Sequence, residues 1–170
     1  GATYPNGCHI AEVEIDPETG VASIERYTAV DDLGNVINHT LVEGQVHGGV
    51  AQGAGQVFGE HAVYDPDTAQ LLTGSFMDYP MPRAGWLGDM RVGEHPVPTL
   101  TNALGAKGVG ESGATGALPA LVNATIDALQ PLAIALSTFL QTEGLDKLGE
   151  IGSRIGDITK NFFFIMVNPG

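Results

Sequence analysis

The chain has 170 residues and a mass of 17.7 kDa, the size of one domain with room for an appendage. Apolar residues make up 43%, which excludes a disordered tail, and the 24 glycines follow no three-residue period, which excludes collagen. Seven Lys and Arg against 20 Asp and Glu leave a formal charge of −13, so neither nucleic acid nor an anionic membrane surface is expected as a partner.

The chain opens at Gly1 and runs directly into strand-like sequence, which reads as a piece of something longer. No basic segment followed by an apolar one opens it, so a cytoplasmic location is expected. From Cys8 to Asp16, Ala11, Val13 and Ile15 alternate with Glu12, Glu14 and Asp16, the pattern of a strand with one dry face. The lone Cys8 closes no internal disulfide and reads as a small buried strand residue. Asp16-Pro17-Glu18-Thr19-Gly20 is turn chemistry, and a second strand over Val21–Val30 completes a β-hairpin. Asp31-Asp32 could bind a hard cation but resembles a solvated turn.

Val42–Phe58 has helical spacing in Val46, Val50, Ala54 and Val57, yet it carries Gly44, Gly48, Gly49, Gly53 and Gly55. Each costs about 0.5–1 kcal/mol relative to Ala in a helix interior, so close approach of another backbone or a ligand is expected. Gln52 in this run is either an exposed helix glutamine or a donor to a ligand oxygen entering through the glycine gap. Asp65-Pro66-Asp67-Thr68-Ala69 predicts a second hairpin between Ala62–Tyr64 and Leu71–Thr73.

Phe76–Pro98, with four prolines, reads as irregular chain ending in a short edge strand near Met90–Val92. A helix is predicted from Thr115, with Thr115 as N-cap and an apolar stripe of Leu118, Leu121, Val122, Ile126 and Leu129, interrupted at Gln130-Pro131. Broken by Pro119, Asn123, Asp127 and Pro131, Leu118–Leu140 falls short of a membrane span. Beyond it, Leu132–Leu140 and Leu145–Ile158 read as helical pieces and Phe162–Val167 as a strand candidate, with no chemistry in that tail. His9, His39, His47, His61 and His95 form no metal-binding pattern, so no metal-ligating residue is assigned.

Gly105-Ala106-Lys107-Gly108-Val109-Gly110-Glu111-Ser112-Gly113 opens onto that last helix. A glycine loop feeding a helix N-terminus offers free N–H groups and the positive dipole end to an anion, and Lys107 adds a cation. Gly108–Gly113 satisfies G-x-G-x-x-G, but no βαβ unit surrounds it, and a P-loop would require its lysine at the end. Tight turns alone would also explain the glycines. Glu111 is either a general base, if a bound group screens it from water, or a helix-cap partner.

Two segments, Val42–Gly55 and Gly105–Gly113, together resemble the molybdenum hydroxylases: xanthine dehydrogenase, aldehyde oxidase and aerobic carbon monoxide dehydrogenase. The likeness is to the C-terminal part of their molybdopterin-binding large subunit, over about residues 1–130, with 131–170 an atypical tail. It implies an α+β fragment of antiparallel β-hairpins packed against glycine-rich helices. It also implies hydroxylation of a small-molecule substrate's carbon with water-derived oxygen at a molybdenum-pterin centre. Glu111 would be the general base, and Gln52, Lys107, Gly108, Val109 and Gly110 would line a molybdopterin of the cytosine dinucleotide form. Implied partners are the remainder of the molybdopterin subunit, an iron–sulfur subunit and a FAD subunit, which alone carry those clusters and the flavin. The alternative is a non-catalytic cofactor-binding or assembly module, and the isolated chain is expected to be inactive.

Overall fold

The structure is a computed structural model that describes residues 1–142. The pieces predicted over Leu145–Ile158 and Phe162–Val167 lie outside the described residues. Strands β1 (Asn6–Ile15), β2 (Ala22–Asp32) and β3 (Leu87–Glu94) form one sheet in that order. Helices α1 (His39–Phe58) and α2 (Ser112–Thr142) complete an α+β fold. β1 and β2 are the expected antiparallel hairpin, closed by the turn in which Gly20 adopts φ 72° and its N–H donates to the Asp16 carbonyl at 2.8 Å.

Period two explains the inward face of β1, where His9, Ala11, Val13 and Ile15 are partly buried while Cys8, Ile10, Glu12 and Glu14 are exposed. Cys8 is therefore not the buried residue expected, because the alternation puts it on the wet face. On β2 a bulge opposite Glu12 and Val13 adds one residue, so Ile24 and Tyr27, three positions apart, both face inward. Beyond it Tyr27, Ala29 and Asp31 keep strict alternation, and all three are buried.

The expected edge strand at Met90–Val92 is β3, longer than predicted and parallel to β2, so the sheet is mixed rather than wholly antiparallel. Its connection from β2 passes through α1, the kind of crossover that parallel pairing needs. The second hairpin shrinks to a single bridge, Tyr64 to Leu71, around the Asp65–Ala69 turn. In that turn Ala69 stands where Gly20 stands in the first, at φ 56°.

α1 starts earlier than predicted because the Asn38 side chain accepts the Leu41 N–H at 3.0 Å. α2 begins at Ser112, not Thr115. The Thr115 N–H already bonds the Glu111 carbonyl at 3.0 Å, so Thr115 lies inside the first turn. The helix also continues through Gln130-Pro131. Each proline removes one N–H from the ladder, and the turns on either side hold the rest. That continuity makes Ser112–Thr138 long and apolar enough to cross a membrane by length and composition, contrary to the sequence expectation. The N-terminal half of α2 is nevertheless committed to the core, where Ala117 and Leu121 pack with Val46, Val50 and Ala54 of α1 and with Ile24, Tyr27 and Ala29 of β2.

The glycines of α1 divide by face. A Cβ at Gly49 would sit 2.7 Å from the Ala114 nitrogen, and one at Gly53 would sit 2.5 Å from the Ala117 Cβ. The close approach expected for this helix is thus the first two turns of α2. Gly44 and Gly48 face open space.

Candidate functional site

The loop before α2 is held from below. Lys107 donates its Nζ to Asp32 Oδ2 at 2.5 Å, and its N–H bonds the Leu33 carbonyl at 2.8 Å. Asp32 Oδ1 accepts the N–H groups of Gly34 at 3.0 Å and Val97 at 2.8 Å. These partners, Lys107 first, hold the Asp32 carboxyl well below the usual carboxylate range. One buried carboxylate therefore ties the end of β2 to two distant loops. Lys107 is not the free cation the sequence suggested, since its ammonium is nearly buried and spent on Asp32.

Because the folded Asp32 binds its proton more weakly than an unfolded aspartate, of ordinary value about 3.9, its stabilisation is complete above that value. It is lost as pH falls below it. Lys107→Met removes the largest cause of the depression and should move the acid-unfolding midpoint, followed by circular dichroism, to higher pH. An unmoved midpoint would show that the pair does not hold the loop.

Above this anchor lies a cavity of about 520 Å³. Gly108, Gly110, Glu111 and Ser112 form one wall and Thr115 and Gly116 of α2 continue it, while Pro5 to Gly7, His9 and Asp31 close the opposite side. Glu111 is exposed, and its carboxylate has no hydrogen-bond or salt-bridge partner among the described residues. Neither Gly108 nor Gly110 has any atom within 4 Å of where a Cβ would stand, so their backbones are open to a guest. Val109 between them turns inward onto the core. Gln52 lies on the exposed side of α1 and does not line this cavity. Of the residues singled out in the sequence, then, Gly108, Gly110 and Glu111 come together here, while Gln52, Lys107 and Val109 present no side chain to the cavity.

His9 and Asp31, to which the sequence assigned no site, stand on the opposite wall, and Tyr27 lies buried behind them. His9 Nδ1 is 2.7 Å from the Tyr27 hydroxyl, and His9 Nε2 is 3.1 Å from Asp31 Oδ1. Asp31-Asp32 is no solvated turn, for both residues are buried at the end of β2. The signal was present in the alternation: His9 continues the dry face of Ala11 and Val13, and Asp31 that of Tyr27 and Ala29.

A family model described as the molybdopterin cofactor-binding domain matches residues 1–87. The nicotine 6-hydroxylase large subunit of Paenarthrobacter nicotinovorans is 41% identical over 133 residues, 78% of this chain and 16% of that protein. The carbon monoxide dehydrogenase large chain of Afipia carboxidovorans is 40% identical over 130 residues, 74% of this chain and 16% of the relative. Quinoline 2-oxidoreductase from Pseudomonas putida superposes with a TM-score of 0.73 at 41% identity, over 76% of this chain and 16% of that one. The chain thus spans about 16% of the length of the curated relatives it matches.

Proposed function

Because this chain belongs to the molybdopterin cofactor-binding domain family, in the large-subunit region of the molybdenum hydroxylases, we propose that it forms one wall of a molybdenum-pterin site. The reaction of that site is hydroxylation of a substrate carbon with water-derived oxygen. The observation that carries this reading is the unpartnered carboxylate of Glu111 on a roomy cavity, beside two glycines whose backbones nothing covers.

The residues suit such a group. Gly108 and Gly110 leave their side of the cavity bare, and the positive end of α2, where Ser112 lines the cavity, suits the pyrophosphate of a cytosine dinucleotide. Asp31, whose buried Oδ2 takes no hydrogen bond among the described residues, lines the same space. When bound, the molybdenum-pterin group supplies the two-electron oxidation. Glu111 then takes a proton at its carboxylate, the task for which a carboxylate not already paired is suited. Lys107 acts from beneath, fixing through Asp32 the loop on which Glu111 stands. Gln52 lies outside this cavity and has no part in the reading.

The remainder of the molybdopterin subunit closes the site, and iron–sulfur and FAD subunits carry the electrons away. Multi-subunit relatives support that arrangement: 6-hydroxypseudooxynicotine dehydrogenase is a complex, and its subunit gamma is 38% identical over 128 residues. Elemental analysis of the chain purified with its native neighbours tests the reading. About one molybdenum per large subunit is expected, one for each such site. A well-folded assembly without molybdenum would favour the assembly-module alternative.

A further inference from the structure

We infer that Asp31 is a second guest-facing carboxylate of this cavity, and that the bound group meets it with a hydrogen-bond donor, an amino or ring N–H of a heterocycle, rather than with a phosphate oxygen. The inference rests on the cofactor reading above and adds the chemistry of the guest at this wall.

The argument begins with direction. Tyr27 is buried, and burial together with the negative charge of Asp31 pushes its phenol well above the ordinary value, so it keeps its proton. The hydroxyl stands 2.7 Å from His9 Nδ1 and donates to it whenever the imidazole is neutral. A neutral imidazole that accepts at one nitrogen carries its hydrogen on the other, so His9 Nε2 donates to Asp31 Oδ1 across 3.1 Å. Each link settles the next, and the chain ends at Asp31 Oδ2, which is buried and takes no hydrogen bond among the described residues. The Asp31 side chain is only 4% exposed. An unsatisfied buried carboxylate oxygen is costly, and the group that relieves it must bring a donor.

Two glycines make room for this arrangement. A Cβ at Gly7, opposite Asp31 in the hairpin, would collide with Asp31 Oδ1. One at Gly116, in the second turn of α2, would collide with the His9 ring. The sheet and the helix each give up a side chain so that His9 and Asp31 can stand between them, on the cavity. A phosphate oxygen placed against Asp31 would face a like charge with no proton to share. The bare loop of Gly108 and Gly110 before the positive end of α2 is the place for an anion, and Asp31 is the place for a donor.

Asp31→Asn tests this in the complete enzyme assembly. Asn keeps an oxygen for the His9 Nε2–H and turns an N–H group toward the cavity, so the internal bond survives while the outward one changes sense. Molybdenum by elemental analysis and pterin by fluorescence after oxidative release should both fall about tenfold or more per subunit, with the thermal unfolding midpoint unchanged. Cofactor content that stays level or rises overturns the inference, a rise being the result expected of a phosphate at that wall. If the Asn variant does not fold, Tyr27→Phe decides. Losing the hydroxyl frees the His9 tautomer, and pterin should leave the assembly about threefold faster; an unchanged rate overturns the inference. A wild-type assembly free of both molybdenum and pterin would instead bring down the cofactor reading itself.

Discussion

Glu111→Gln in the complete enzyme should lower the rate of substrate hydroxylation by about 10²–10⁴-fold, the usual contribution of a positioned general base. Molybdenum and pterin content should not change. The carboxylate takes no hydrogen bond or ion pair among the described residues, so an amide of the same shape breaks nothing inside the chain. The loop that carries it is held elsewhere, by Lys107 on Asp32 and by the Ser112 hydroxyl donating to the Val109 carbonyl at 3.0 Å. Single-turnover kinetics separate proton removal from binding and product release. A variant that keeps its rate within a few-fold would return Glu111 to the other role open to it, a partner of the α2 N-terminus.

The second large effect lies in the helix crossing. Gly49→Ala should destabilise the chain by about 1–3 kcal/mol, while Gly48→Ala, its immediate neighbour, should stabilise it by about 0.5–1 kcal/mol. The helix propensity gained is the same at both sites, and the surroundings set the sign. At Gly49 the new Cβ would meet the Ala114 nitrogen at 2.7 Å and Gly113 Cα at 2.9 Å, backbone atoms that move only if α2 moves. At Gly48 it meets nothing within 4 Å. Denaturant midpoints for the two variants give the comparison, and two shifts of equal sign would refute the crossing. Gly113→Ala should behave as Gly49→Ala does, since its Cβ would stand 2.5 Å from the Val46 carbonyl oxygen. Gly113 is two residues from Glu111, so the contact that sets the helix crossing also sets where the carboxylate stands.

Much of the frame was legible in the chain. The hairpin of β1 and β2 follows from period-two alternation and the Asp16–Gly20 turn, both local. The glycine-spaced helix and the loop before α2 were legible for the same reason. Elements that depend on distant partners were not. Parallel pairing of β3 needs β2 beside it, which no property of Leu87–Glu94 announces. The persistence of α2 through Pro131 runs against local propensity, which marks a break there.

The site divides in the same way. Sequence alone placed Gly108, Gly110 and Glu111 in one loop at a helix start, because neighbours along the chain share a loop whatever the fold. It also named the family, since two separated motifs stand in unbroken order. Only the tertiary structure turned Lys107 down onto Asp32, set Gln52 outside the cavity and brought His9 and Asp31, with Tyr27 behind them, to the wall opposite Glu111. The physical reason is range. Propensity and periodicity act over a few residues, whereas a side chain's charge is spent on whichever partner packing brings near, and for Lys107 that partner lies 75 residues away.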